Sequence, residues 1–397
     1  MKTNLLKYLA LATIVLFSFS ATAQDDDYIN AITTAVPFLM IAPDSRSGAM
    51  GDIGAATSPD ANSQHWNAAK FPFIEHDYGF SVSYSPWLRA LVNDISLAYL
   101  SGYYKINDQS AVSGSLRYFS MGEIQFTDIV GNDIGIYKPN EFAIDGAYSR
   151  LLGNNFSGAV TLRYINSNLT SGQNVGGQQT QVGQSVASDV AMYYRKKLKV
   201  NDTKMLMAFG LNVSNIGVKV SYSEGLERDF IPTNFRFGAS LEIELDKYNS
   251  LTIAADINKL LVPTPPIYAV DSVGNNIPDG DGFYKIDKGM DPRRSVGNAL
   301  ITSWYDAPYG FSEEMREFYI GGGVEYAYDK KFFVRGGYFY ENASKGNRKY
   351  FTLGAGFKYN VFALDFSYLI PTSQRNPMQN TLRFTLVFNF DAGATAQ

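Results

Sequence analysis

The chain has 397 residues and a formal net charge of −4, from 34 Lys and Arg against 38 Asp and Glu. It contains no cysteine, which excludes a disulfide framework and a lipoprotein anchor, and its mild acidity argues against a nucleic-acid partner. Tyr and Phe are abundant, at 27 each, as is typical of membrane barrels that place aromatic side chains at the bilayer interfaces.

Residues 1–23 have the features of a secretory signal peptide. Lys2 and Lys7 precede an apolar run from Leu9 to Phe19, and Ala21-Thr22-Ala23 is a small-residue cleavage site. A transmembrane anchor is disfavoured because the run is short and no stop-transfer flank follows it. Cleavage removes two lysines, so the formal charge becomes −4 − 2 = −6. No later apolar run is long enough for a spanning helix.

Residues 24–77 do not alternate. They begin with three aspartates, continue through a Pro-flanked apolar run at 35–43, and then carry a small-residue stretch at 45–56 and the sequence His65-Trp66-Asn67. Turn residues and apolar content placed ahead of a barrel predict an N-terminal plug inside the lumen. The alternative is a disordered periplasmic extension, which the apolar content disfavours.

From residue 78 the dominant signal is period two, which predicts β-strands because successive side chains point to opposite faces. The clearest example is Phe235–Leu245, in which every odd position is apolar and the even positions include Arg236, Glu242 and Glu244. Such segments recur at about ten residues, the length of a tilted strand that crosses a bilayer. They predict an all-β, 14-stranded antiparallel transmembrane barrel over 78–390. The predicted strands are Tyr78–Ser85, Ile95–Lys105, Ser110–Phe119, Phe142–Leu151, Phe156–Asn166, Ala187–Lys197, Lys204–Ser214, Phe235–Leu245, Leu251–Ile257, Glu317–Tyr328, Phe332–Glu341, Tyr350–Tyr359, Val361–Leu369 and Asn380–Phe390.

The connections between these strands alternate in length. Short links such as Asn107-Asp108-Gln109 and Asp329-Lys330 alternate with long ones, among them 86–94, 120–141 and 260–316. Outer-membrane barrels keep short turns on the periplasmic side and long loops outside. This parity predicts an integral outer-membrane protein with both termini in the periplasm, ending in an aromatic last strand and a tail at 391–397.

The stretch from Ser47 to Ser63, with Trp66-Asn67-Ala68-Ala69-Lys70-Phe71-Pro72-Phe73 after it, resembles the N-terminal segment of FadL-type outer-membrane barrels. It is most similar to the PorV/PorQ family found with the type IX secretion system of Bacteroidetes, and Gly51–Ser63 favours the PorV branch. The family pattern has proline where this chain has Ala68. The residues that carry the resemblance, and the expected plug motif, are Gly48, Met50, Gly51, Asp52, Gly54, Trp66 and Asn67.

The resemblance implies a non-enzymatic role without a cofactor. Members associate with a large SprA/Sov-like translocon barrel, receive cargo through its C-terminal signal domain, and pass it to a PorU-like attachment complex at the cell surface. Outer-membrane lipid is the remaining expected partner. The same scaffold in FadL relatives imports long-chain fatty acids or other hydrophobic compounds, and fold alone does not choose between these roles. A lipid-modifying enzyme is the third alternative.

Two groups of residues are candidate sites. Aromatic and arginine side chains in long loops suit a partner-binding surface, because Trp, Tyr and Arg dominate interface hot spots; they also suit a lid folded over the lumen or an anchor at the outer membrane interface. These residues are Trp87, Leu88, Arg293, Arg294, Trp304, Tyr305, Tyr309 and Phe311. Inward-facing Arg236, Glu242, Glu244 and Asp256 predict a polar lumen network against the plug, with a substrate path as the alternative.

Other motifs are weak. The two histidines, His65 and His76, lack a recognisable serine partner, so a hydrolase triad is not expected. The acidic turn Asp271–Gly282 misses the spacing of a calcium loop, and no metal site is predicted.

Overall fold

A computed structural model describes residues 29–391, except 90–91, 93, 128–129, 171–173, 176–177, 224–226, 281 and 374–375. The predicted signal peptide and tail residues 392–397 lie outside the described residues. None of the helices in the described part of the chain is both long and apolar enough to cross a membrane.

Fourteen antiparallel strands close into a barrel, which confirms the predicted architecture. The last strand pairs with the first in the register Tyr78↔Phe390 and Val82↔Leu386. The strands are β1 (Tyr78–Pro86), β2 (Ser96–Asn107), β3 (Ser110–Ser120), β4 (Asn140–Gly153), β5 (Phe156–Asn168), β6 (Gly183–Val200), β7 (Thr203–Gly217), β8 (Asn234–Glu244), β9 (Asn249–Leu260), β10 (Tyr319–Tyr328), β11 (Phe332–Tyr340), β12 (Lys349–Tyr359), β13 (Phe362–Pro371) and β14 (Leu382–Phe390).

The alternation in sequence becomes two chemically different faces. On β8 the outward Phe237 is 41% exposed, whereas the inward Arg236 is 6% exposed. Outward aromatic rings meet near both rims: the Tyr78 and Phe390 ring centroids lie 5.1 Å apart at one end, and those of Phe235 and Trp304 lie 5.3 Å apart at the other. An apolar belt between aromatic rims is the surface that a bilayer requires of a barrel.

The two ends of the barrel differ as predicted from the links. At one end the strands are joined by tight turns, in which Asn201, Asp202 and Asn360 adopt positive φ, the geometry of short hairpin turns. At the other end the long loops carry two-stranded pairs, including Ile124–Thr127 with Asp133–Tyr137. We call these the short-turn end and the long-loop end.

The loop at 260–316 is more structured than its sequence indicated. It contains a two-stranded sheet formed by Ile267–Tyr268 and Ile286–Lys288, and two short helices, α3 (Val296–Thr302) and α4 (Phe311–Arg316). Ser295 caps α3 through its side chain. We call residues 261–318 the outer loop domain. Its elements are too short to produce a periodic signal in the sequence.

Residues 29–77, the plug, run through the lumen. They form 3₁₀ turns at Pro37–Met40 and Ala68–Phe73 and the single helical turns α1 (Ser45–Gly48) and α2 (Ser63–Trp66). Asn30 donates its N–H to the Ser344 carbonyl (2.8 Å) at the long-loop end. At the short-turn end, Lys105 donates its N–H to the Asp77 carbonyl (2.7 Å).

The described chain starts at the long-loop end and ends just beyond Phe390 at the short-turn end. That both termini lie in the periplasm stays a prediction, because residues 1–28 and 392–397 lie outside the described residues. The plug traverses the lumen once instead of folding back on itself.

Apolar clusters pack the plug into the barrel near both of its ends. Near the short-turn end Phe71 and Phe73 contact Tyr103 and Tyr193, with ring centroids 5.4 and 5.6 Å apart. Near the long-loop end a second cluster surrounds Phe38. Its other fully buried members are Ala35, Val36, Leu39, Leu97, Phe119, Ala143, Ile165, Ala187, Val220 and Ile231.

Candidate functional site

The plug backbone lies directly on the barrel wall, and glycines of the wall make this approach possible. A Cβ on Gly210 would overlap the Ala55 carbonyl, and one on Gly337 would overlap the peptide between Met50 and Gly51. Absence of a side chain is what allows two backbones to approach so closely. The other wall glycines whose Cβ would overlap plug atoms are Gly238, Gly321, Gly323 and Gly354.

Hydrogen bonds fix the same plug loop in register with the wall. The Asp256 carboxylate accepts the backbone N–H groups of Gly54 (2.8 Å) and Ala55 (2.9 Å). The Thr352 hydroxyl accepts the N–H of Gly51 (2.9 Å) and donates to the Ala49 carbonyl (2.9 Å). Each bond satisfies a polar backbone group that would otherwise be buried without a partner, which is costly. The plug is therefore an integral part of the barrel interior.

Trp66 organises the centre of the plug. Its indole N–H donates to the Asp44 carboxylate (2.6 Å), and the Arg236 guanidinium lies 4.6 Å from its ring centroid, as in cation–π contacts. A Cβ on Gly54 would overlap the indole. Asn67 donates to the carbonyls of Ala55 (3.0 Å) and Met192 (2.9 Å), which ties the plug to β6.

The remaining motif positions face β12 and β14. Asp52 adopts φ 56°, and its carboxylate accepts the Tyr350 hydroxyl (2.6 Å) and lies 3.4 Å from the Arg383 guanidinium. Gly48 packs under the Arg383 side chain, which a Cβ would meet at 2.6 Å. In the described chain the plug motif thus packs within the protein rather than at an accessible surface.

The four predicted lumen residues do not form one network. Arg236 and Asp256 contact the plug. Glu242 lines a cavity, and Glu244 is exposed at the rim, 3.5 Å from Lys204. The prediction that Glu244 belongs to a lumen network is therefore wrong. β8 ends at Glu244, and this end of the strand lies beyond the plug, where it is open to solvent.

One ion-pair network in the lumen involves residues that the sequence analysis did not identify. Glu325 pairs with Arg46 of the plug (3.0 Å) and with Arg335 (2.6 Å), and Arg335 also pairs with Asp365 (2.5 Å). Arg46 further pairs with Asp60 (2.9 Å). The inward parity used for β8 applies equally to β10, β11 and β13, so the wall residues of this network could have been found.

A lumen cavity of about 270 Å³ lies between this network and the short-turn end. Phe333, Phe357 and Leu206 contribute apolar wall, but charged side chains surround them. Its charged lining residues are Arg46, Asp60, Glu75, Arg195, Glu242, Glu325, Lys330, Arg335, Lys358 and Asp365. Pairing between neighbouring strands is continuous around the barrel. The cavity therefore combines apolar and charged walls inside a closed barrel.

Buried ion pairs hold the outer loop domain to the barrel. Lys259 pairs with Glu314 (2.9 Å) and Glu317, and Lys345 pairs with Glu313 (2.5 Å) and Glu317 (3.0 Å). All five side chains are buried. Burial opposes ionisation of Glu313, but hydrogen bonds from Lys345, the Tyr309 N–H and Asn30 outweigh it and lower its pKa. The start of the plug is part of this joint through Asn30.

The predicted partner-binding residues fall into groups. Phe311 is 76% exposed, and Tyr305 and Tyr309 are also exposed on the outer loop domain. Trp304 instead packs edge-on against the outward Phe235, so it sits at the membrane rim.

The other four predicted partner-binding residues contact neighbouring parts of the same chain. Arg293 pairs with Asp291 (2.9 Å), and Arg294 lies 3.5 Å from Asp306. Trp87 and Leu88 pack against the apolar clusters at the long-loop end, where Trp87 lies 5.9 Å from the Arg383 guanidinium. These two residues therefore do not project from the loop as free contacts, because they pack against apolar clusters that include plug residues.

Ile301 and Met315 are exposed on the outer loop domain near Phe311 in sequence, and they were missed. In α4 the apolar Phe311 and Met315 point outward while Glu313 and Glu314 are buried. This reversal of the usual amphipathic pattern is visible in the sequence once the helix is known. It creates an apolar outer face.

Within the described residues, neither histidine is hydrogen-bonded to a serine. The His65 Nδ1 lies 2.6 Å from the Arg117 guanidinium, and the His76 Nδ1 lies 3.0 Å from the Asp391 carboxylate. The Asp271 carboxylate accepts the N–H groups of Val273 and Asn275 (both 2.9 Å), which makes it the anchor of a turn. In the described part of the chain no three His, Asp or Glu are arranged to hold a metal ion.

Solved structures with this fold define the class. The P. putida toluene transporter TodX matches with a TM-score of 0.50 at 9% identity, covering 88% of this chain and 98% of its own. The Ralstonia pickettii toluene transporter TbuX gives 0.44 at 10% identity over 89% and 100% of the two chains. A Pseudomonas aeruginosa FadL homologue gives 0.43 at 11% identity over 91% and 100%. The protein is a plugged FadL-like outer-membrane barrel, and at these identities the likeness shows the fold alone.

A family model carries the identification further. The model described as "Type IX secretion system protein PorV" matches residues 22–267, more than half of the chain. The chain belongs to the PorV family, and it is an outer-membrane component of the type IX secretion system. A comparison with curated proteins finds no match.

Proposed function

We propose that this chain is a non-enzymatic binding subunit of the type IX secretion system. It docks onto the SprA/Sov-like translocon barrel, holds the C-terminal signal domain of secreted cargo and delivers that cargo to the PorU-like attachment complex. The observation that carries the proposal is the PorV family match over residues 22–267.

The geometry supports a binding role in two ways. The plug is held to the wall by backbone contacts and hydrogen bonds, so a folded cargo domain has no path through this lumen. The outer loop domain buries Glu313, Glu314 and Glu317 at its joint with the barrel and exposes Phe311, Tyr309 and Met315. Exposed aromatic residues on a fixed support are typical of interface hot spots. We assign the partner surface to this face of the domain.

The orientation belongs to the same proposal, with the short turns in the periplasm and the long loops outside. Because the chain has no cysteine, single cysteines report on sidedness directly. In intact cells a membrane-impermeant maleimide should label Lys285→Cys in the outer loop domain but not Lys247→Cys in a short turn. Permeabilising the outer membrane should expose both. Labelling of Lys247→Cys alone in intact cells would reverse the orientation.

The function is tested by affinity purification of the tagged full-length protein from outer membranes in mild detergent. The expected result is recovery of a very large barrel together with secreted proteins that share a C-terminal domain. A monomer that carries only fatty acid would overturn the proposal and favour a FadL-like importer. Phe311→Ala is the matched variant, because it changes the exposed surface and leaves the ion-pair joint intact.

A further inference from the structure

The hairpin formed by β6 and β7 extends beyond its neighbour at the short-turn end. β5 pairs with β6 up to Tyr194↔Phe156, and the Arg195 N–H makes one more bond, to the Asn155 carbonyl (2.9 Å). Residues 196–200 then pair with β7 alone. At about 3.4 Å per residue, these five residues project about 17 Å past the end of β5.

This projecting segment, which we call the cationic hairpin (residues 195–204), carries a concentrated positive charge. Its basic residues are Arg195, Lys196, Lys197, Lys199 and Lys204, and its one acidic residue is Asp202. Lys199 lies directly opposite Lys204, an arrangement of like charges that destabilises a strand pair. Asp202 lies 2.8 Å from Lys199 and Glu244 lies 3.5 Å from Lys204. With Glu244 included, the cluster has five basic and two acidic side chains, a net charge of +3.

The register separates these cations onto two faces. On β6, Met192 is 44% exposed and faces the lipid, whereas Tyr193 is 1% exposed and faces the lumen. Alternation therefore places Lys197 and Lys199 on the inward face and Lys196 on the outward face. Lys196 and Lys197 form no ion pair with any residue that the structure describes.

The inward face continues into the mouth of the lumen cavity. Arg195 of the hairpin and Leu206, which pairs with Lys197, line this cavity. Lys330 and Lys358 add cations to the same lining. The acidic residues of the lining are Asp60, Glu75, Glu242, Glu325 and Asp365. The mouth is thus flanked by cations that point over the lumen opening and away from the lipid.

The hairpin also offers an open backbone edge. Since the Arg195 N–H points towards β5, antiparallel alternation directs the backbone groups of Lys197 and Lys199 to the same side. Beyond Asn155 no strand of the described chain occupies that side. Such an edge accepts an added strand through main-chain hydrogen bonds, with side-chain pairing supplying specificity.

We propose that the cationic hairpin and the adjoining cavity mouth are a docking surface for an acidic, strand-forming segment of a partner protein. The segment adds to the open edge of β6 and places its carboxylates opposite Lys197 and Lys199. The proposed orientation puts this partner in the periplasm, on the opposite side from the outer loop domain. The surface is therefore separate from the one assigned to translocon and cargo.

The probe is a fluorescent ten-residue peptide in which Glu alternates with Val, titrated against the full-length protein in detergent. We expect saturable binding that weakens with salt, and at least tenfold weaker binding to the double variant Lys197→Gln/Lys199→Gln. The control Lys196→Gln/Lys247→Gln removes two positive charges from the same end of the barrel but from other faces. It should stay within twofold of the native protein.

Two further peptides test the mode of binding. Replacing Glu by Gln in the peptide should abolish binding, and methylating alternate backbone nitrogens on its pairing edge should do the same. Equal loss in both double variants would overturn the proposal, because a general charge effect or a lipid-facing role of Lys196 would then explain it. No binding to the native protein, or binding insensitive to backbone methylation, would also overturn it.

Discussion

The plug and the outer loop domain are both irregular segments attached to one barrel, but they are held in opposite ways. The plug presents backbone to a wall of glycines, and its N–H and C=O groups are satisfied by wall side chains such as Asp256 and Thr352. The outer loop domain instead buries charged side chains and leaves Phe311 and Met315 exposed. The first arrangement closes a lumen, and the second displays a surface.

The difference indicates where binding energy is available. The plug motif makes its contacts within the protein, so changes there act first on folding. The outer loop domain keeps its apolar residues free while a buried joint fixes their position. Substitutions in the plug are therefore expected to change folding, and substitutions of exposed residues in the outer loop domain are expected to change binding.

The largest expected effect comes from breaking the backbone contact of the plug. Gly337→Val places a branched side chain on the Met50–Gly51 peptide and should cost about 3 kcal/mol or more, or prevent assembly. Gly336→Val is the control, because its Cβ points outward with nothing nearer than 3.8 Å and valine favours strands. Heat-modifiable migration on gels and urea unfolding in lipid measure both. Similar stability of the two variants would contradict a plug seated on this wall.

The second-largest effect is expected from breaking the ion-pair joint between the outer loop domain and the barrel. Lys345→Met leaves Glu313 and Glu317 buried with one cation fewer, and removing one partner of a buried pair costs about 3–5 kcal/mol. The loss should be local, seen as faster amide hydrogen exchange over residues 261–318 with unchanged exchange in the barrel strands. The exposed Lys285→Met should leave exchange unchanged. Uniform acceleration throughout the barrel would show that the domain and the barrel unfold together.

A smaller effect on partner binding should distinguish exposed Phe311 from Trp304, which lies at the membrane rim. Phe311→Ala should weaken retention of the translocon by about 2 kcal/mol, roughly thirtyfold, without changing stability. Trp304→Ala should leave retention unchanged and weaken the contact with Phe235 at the membrane rim. Quantitative co-purification and thermal unfolding distinguish these outcomes. The reverse result would place the partner on the membrane-rim side of the domain.

The smallest expected effect is a pH dependence from Asp306. Burial raises its pKa from 3.8 to about 6, and its Oδ1 has no hydrogen-bond partner among the described residues. The folded domain therefore holds a proton more tightly than the unfolded chain, and this contribution to stability is full below pH 3.8 and lost as pH rises through about 6. Asp306→Asn should reduce the difference in domain stability between pH 8 and pH 5. Trp304 fluorescence during thermal unfolding at both pH values measures it.

The sequence by itself determined the barrel, because period-two alternation over 78–390 and alternating link lengths depend only on local geometry and on a lipid exterior. It also indicated that residues 24–77 form a plug and that Arg236 and Asp256 point inward. The tertiary structure decided the rest. Three features depend on contacts between residues far apart in the chain. These are the glycines that receive the plug, the pairing of Arg46, Glu325 and Arg335, and the start of the described plug at the long-loop end. The short helix α4 buries Glu313 and Glu314 and exposes Phe311, and ion pairs with Lys345 and Lys259, from the adjoining loop and the barrel, hold it in place.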